Sequence, residues 1–153
     1  MCLIVDANLA SLVFGESLHD DFRPIIDWLT SPNKNGKLVV GGHLAVELNR
    51  IGRARRFIRS LQQAGRARFI PEDVTRQETV RLSSMCESDD PHVIALAKIS
   101  GARLLCSHDR ALHRDFTNPD LISNPRGHIY QTSEHEHLLR LYGHTQACRR
   151  SET

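Results

Sequence analysis

Ser88-Asp-Asp-Pro-His-Val-Ile-Ala-Leu-Ala-Lys-Ile-Ser-Gly101, running directly into Ala102-Arg-Leu-Leu-Cys106 and then Ser107-His-Asp109, is the stretch whose pattern decides the fold. Pro91 suits the first turn of a helix, where its missing N–H has no partner to lose, and Gly101 suits the residue just past a helix end. Asp90, Val93, Ile94 and Ala97 share one face of that helix. Residues 102–106 read as the next strand, and Asp109 opens a short helix reaching about Phe116. A helix that feeds a short apolar strand ending in polar residues and an acid is the unit of an α/β domain.

The same unit recurs towards the amino terminus. Residues 2–5 (Cys-Leu-Ile-Val) form a continuous apolar run of the kind that a strand buried on both faces needs, and Asp6 stands where it stops. Residues 9–15 and 20–30 read as two short helices, ended by Ser31, Pro32 and an Asn-Lys-Asn-Gly turn, and residues 37–41 as a second strand. From His43 to Ala64 the apolar positions Leu44, Leu48, Ile51, Ile58 and Leu61 predict one long amphipathic helix, with Glu47 on its buried face. A short extended piece at 68–70 precedes a helix from Pro71 to about Ser84, with Glu72 and Asp73 at its positive end. A strand at 128–131 and a helix at 133–142 follow, and residues 143–153 are expected to be a polar, frayed tail. Alternating strands and helices imply a mostly parallel central sheet covered on both faces, a three-layer α/β/α architecture with its ligand site outside the carboxyl ends of the strands.

Composition narrows the class. A chain of 153 residues, 40% hydrophobic and 25% charged, fits one ordinary globular domain. No segment has the length of a membrane span or the form of a secretory signal, so no membrane partner is expected. Cys2, Cys86, Cys106 and Cys148 are far apart and form no CxxC pair, which argues against a zinc knuckle and a disulfide-stapled secreted module and points to a reducing cytoplasm. The net charge is only +2, yet seventeen arginines stand against three lysines, and seven of them lie between positions 50 and 68. Arg53, Arg56 and Arg59 fall at helical spacing. An ordinary solvated face is the plainer reading of that stripe, and a track for nucleic-acid phosphates is the functional one.

Each acid alone has a bland explanation: Asp6 and Asp109 as turn residues, Asp90 as a helix cap. Glu47 is harder to explain, because a carboxylate on an apolar face needs a cation or hydrogen-bond donors. Were these four carboxylates to converge, with no lysine or arginine between them, they would repel one another unless metal joined them, and hard oxygen ligands favour Mg2+ or Mn2+. His135-Glu-His137 is the densest histidine group, but residues two apart on a helix face different ways, so surface histidines are expected there. His92 and His108 flank the acids closely enough for either to touch substrate, and packing or solvation is the plainer reading of each.

With these motifs in view, the chain resembles the PIN-domain family. Leu3-Ile-Val-Asp-Ala-Asn8, Ala45-Val-Glu-Leu48, Asp90-Pro-His-Val-Ile-Ala-Leu-Ala97 and Leu104-Leu-Cys-Ser-His-Asp109 carry the resemblance over residues 2 to about 116. It implies a nuclease domain at 1–142 and an acidic pocket of Asp6, Glu47, Asp90 and Asp109, supported by Asn8 and Ser107. Asp6, Asp90 and Asp109 would be the metal ligands, with Glu47 a further ligand or a base orienting water. Of the doublet Asp89-Asp90, Asp90 keeps the helical register of Val93, Ile94 and Ala97. The function implied is a metal-dependent endoribonuclease, either the toxin of a toxin–antitoxin pair or a processing enzyme, with RNA, an antitoxin protein and a second copy of the chain as candidate partners. The alternative is a catalytically silent adaptor of the same fold that binds RNA or protein.

Overall fold

The computed structural model describes residues 2–15, 19–34 and 36–142. Residue 35 of the expected turn and the expected tail at 143–153 lie outside them. Among the described residues the order is β1 (Cys2–Val5), α1 (Ala7–Val13), α2 (Arg23–Thr30), β2 (Lys37–Gly41), α3 (Gly42–Asn49), α4 (Gly52–Gln63), β3 (Ala67–Ile70) and α5 (Glu72–Leu82). It continues with α6 (Pro91–Ser100), β4 (Leu104–Cys106), α7 (Arg110–Thr117), β5 (His128–Tyr130), a 3-10 turn at Ser133–His135 and α8 (Glu136–Tyr142). The five strands form one sheet in the order β3-β2-β1-β4-β5, and every pairing is parallel. Helices flank the sheet in a three-layer α/β/α arrangement.

That strand order places the site. From β1 the chain steps outwards through β2 to β3, then returns across β1 to lay down β4 and β5 on its other side. The reversal lies between β1 and β4, which pair Ile4 with Leu105 and Val5 with Cys106. At such a point successive connections leave the sheet in opposite directions and open a crevice at the strands' carboxyl ends. All four residues of β1 and all three of β4 are fully buried, as their unbroken apolar sequences require.

Helix α6 is buried from Val93 through Ala97, so it lies within the core rather than on its surface. Pro91 occupies its first turn and Gly101 ends it at φ 81°, a left-handed conformation that glycine adopts without steric penalty. The long helix expected over 43–64 is instead two helices, α3 and α4, with an extended Ile51 between them (φ −98°, ψ 105°). Local chemistry explains the break. The amides of Arg50 and Ile51 bond back three residues to Glu47 and Leu48, which tightens the end of α3, and the weak helix former Gly52 follows. The helix expected over 133–142 likewise starts as a 3-10 turn, where His135 Nδ1 accepts from the amides of Gln131 (3.0 Å) and Thr132 (3.3 Å). This makes His135 a local structural acceptor. Cys86 and Cys106 are free thiols, whereas Cys2 is disulfide-bonded, which the wide spacing of the cysteines did not signal.

The arginine cluster divides by task. Arg66 gives its guanidinium to the carbonyls of Gly36 (2.7 Å), Trp28 (2.8 Å), Ser31 (3.1 Å) and Lys34, tying the end of α2 and the approach to β2 onto β3. Arg68 donates to the carbonyl of Ser100 at 2.9 Å. These two are structural ties and leave the group that could meet phosphates. Arg66→Ala should lower stability by about 2 to 3 kcal/mol in denaturant titration, because several carbonyls lose a charged donor at once. Arg56→Ala, on the exposed face of α4, should stay within about 0.5 kcal/mol.

Candidate metal centre

Asp6 follows β1 directly and its amide donates to the Cys106 carbonyl of β4 at 2.9 Å, so the first acid is fixed to the neighbouring strand by the ladder itself. Its residue is only 4% exposed. From the far side of the crevice Ser107 donates its hydroxyl to Asp6 Oδ2 at 2.9 Å and accepts the Asp109 amide at 3.1 Å. One buried hydroxyl thus links two of the expected acids. Asp109 caps α7, with Oδ1 accepting from the Leu112 amide at 3.2 Å. For that acid the structural explanation holds for one oxygen.

Asp90 precedes α6 without capping it through its side chain, so its carboxylate is not taken up by the helix end. It is half-buried, while Asp89 is exposed. The loop before it is fastened from below: Asp115, 2% exposed on α7, accepts the Glu87 amide on Oδ1 and the Ser88 amide on Oδ2, each at 2.9 Å. Asn8 is exposed beside Asp6 at the start of α1. Glu47 is less buried than its helical position predicted, its side chain being 32% exposed, and its Oε1 meets His92 Nε2 at 2.9 Å. The His92 side chain is only 10% exposed and packs edge-on against the His43 ring, with centroids 5.0 Å apart.

The electrostatics show that the four acids share one field. Burial pushes the Asp6 carboxyl above its ordinary value, the Ser107 hydroxyl and Asn8 amide partly offset this, and the charges of Glu47 and Asp109 add to the rise. Burial likewise raises Asp90; His92 counters it, and Asp6, Glu47 and Asp109 push it further up. Among the described residues, ligand atoms of Glu47, Asp90 and His92 all lie within 4.8 Å of one another. Asp6 and Asp109 adjoin that set without belonging to it. A centre of carboxylates with one imidazole suits a divalent cation, whose charge would relieve the mutual repulsion.

The sequence pointed to Asp6, Glu47, Asp90, Asp109 and Ser107, favoured packing or solvation for His92, and gave no sign of Asp115. The signal for His92 was its position two after Asp90, in the first turn of α6. Asp115 had none, because its partners are backbone amides almost thirty residues away. The candidate phosphate track is separate: Arg56 and Arg59 are exposed and Arg53 is half-buried, on the helix whose Ala54, Ile58 and Leu61 face the core.

Two outcomes follow for the metal-free protein. A raised carboxyl binds protons more tightly folded than unfolded, so the share of stability from Asp6 and Asp90 is greatest below the unfolded value, near 3.8, and declines as pH rises through the folded values. Divalent metal at neutral pH should recover it, visible as a melting temperature that rises on metal addition more at pH 7 than at pH 4. Asp115→Asn should cost about 1 to 3 kcal/mol, since an NH2 group then faces a backbone N–H, and thermal melts should register this with or without metal. Compared with models of protein families, with curated proteins and with solved structures, the chain gives no match.

Proposed function

We propose that this chain is a metal-dependent endoribonuclease of PIN type, hydrolysing RNA phosphodiester bonds. The observation that carries the reading is the meeting of Asp6, Glu47, Asp90 and Asp109 in one field at the carboxyl ends of β1 and β4, where a doubly wound sheet presents its ligands. Mg2+ or Mn2+ held by these carboxylates would polarise the scissile phosphate and ionise an attacking water. Ser107 and the Asn8 amide hold Asp6 in orientation, and the capping bond holds Asp109. Glu47, the more exposed member of the pair with His92, would accept a proton from water or bind metal itself. Arg53, Arg56 and Arg59 would steer the RNA backbone without reading its sequence.

No helix among the described residues is long and apolar enough to cross a membrane. A cytoplasmic setting, an antitoxin protein and a homodimer belong to the same proposal.

Cleavage of mixed structured and unstructured RNAs should require Mg2+ or Mn2+ and stop with chelator. Asp6→Asn and Asp109→Asn should each reduce it at least about a hundredfold while the metal-free protein melts no lower than wild type, because one like charge leaves the pocket. Chelator-resistant cleavage, or full activity per folded molecule in both variants, would reject the mechanism; RNA binding without cleavage would favour the silent adaptor. Neutralising Arg53, Arg56 and Arg59 together should flatten the salt dependence of RNA binding, and an unchanged slope would remove them from the interface.

A further inference from the structure

We propose that His92 is a metal ligand, so that the centre selects a first-row transition ion over Mg2+ through one imidazole nitrogen. This deepens the reading of the acid pocket as a metal centre and rests on that part of it. Ligand atoms of Glu47, Asp90 and His92 lie within 4.8 Å of one another. The Glu47 Oε1 to His92 Nε2 separation, 2.9 Å, matches the distance of about 3 Å between adjacent ligands on an octahedral ion with bonds of about 2.1 Å. An ion entering there takes the place of the proton these two atoms share, with little movement of either side chain.

The ring is also positioned for this role. His92 stands in the first turn of α6, directly after Pro91, whose ring fixes the backbone, and His43 packs edge-on against it. With the side chain 10% exposed, few alternative rotamers remain, so little conformational entropy is lost on binding metal. Carboxylates alone would serve hard ions such as Mg2+ well. An imidazole nitrogen contributes little to Mg2+ but is accepted by first-row transition ions, Fe2+, Ni2+ and Zn2+ more strongly than Mn2+, which shifts selectivity without changing the charge of the site.

Chelator-treated full-length protein titrated with Mn2+ and, separately, Mg2+ in a calorimeter tests the preference, and pulsed electron paramagnetic resonance of the Mn2+-loaded protein tests the bond. Mn2+ should bind at least about tenfold tighter than Mg2+, with a coupling from one imidazole nitrogen. His92→Gln should abolish that coupling and weaken Mn2+ about 10- to 100-fold, while Mg2+ affinity changes less than about threefold. Mn2+ bound without nitrogen coupling, coupling retained in His92→Gln, or no Mn2+ binding at all would each overturn the assignment; if the variant does not fold, the wild-type spectrum decides. RNA cleavage with Mg2+ but no nitrogen coupling sinks this inference alone, and nitrogen-coupled Mn2+ without any RNA cleavage sinks the ribonuclease reading alone.

Discussion

The bond from the Asp6 amide to the Cys106 carbonyl closes the ladder between β1 and β4 at the point where the sheet reverses its order. Everything in the crevice is referred to it. It sets Asp6 beside the Ser107-Asp109 segment and lets one buried hydroxyl serve both acids at the carboxyl ends of the strands. Strand pairing is strong and geometrically strict, so it can hold like charges together that would separate on flexible loops. The fold supplies the rigidity and the site stores the repulsion.

Much of this was legible in the chain because it rests on local rules. Continuous apolar runs at 2–5 and 104–106 marked strands buried on both faces, and Pro91 and Gly101 bracketed α6 to the residue. Asp6, Asp90 and Asp109 each stand at the end of an element that the sequence already marked, which is why their placement could be read before the structure was known. The sheet is more regular than the expected mostly parallel one, being parallel throughout its described strands.

What escaped has a common cause in partners that are distant in sequence or bind through the backbone. Periodicity over 43–64 continues through Ile51, so the apolar pattern could not reveal that the peptide there turns extended and resets the direction of α4. Arg66 looked like one cation among seven, because nothing in the sequence advertises a set of carbonyls thirty or more positions upstream. His92 was judged singly, and its meaning depends on Glu47, which lies forty-five residues earlier and on another helix.

Helix α7 carries one of the acids at its start and, six residues on, the aspartate that grips the loop leading to another. It therefore works as a gauge block: the span between Asp109 and Asp90 is set by the length and pitch of a single rigid rod rather than by the loops around it. One residue inserted within α7 would rotate Asp115 by about 100° relative to Asp109 and detach the gauge. An insertion in the turns after Thr117 would leave it untouched. Lineages of such a domain are thus free to vary the approach to β5 while the register of one short helix stays fixed.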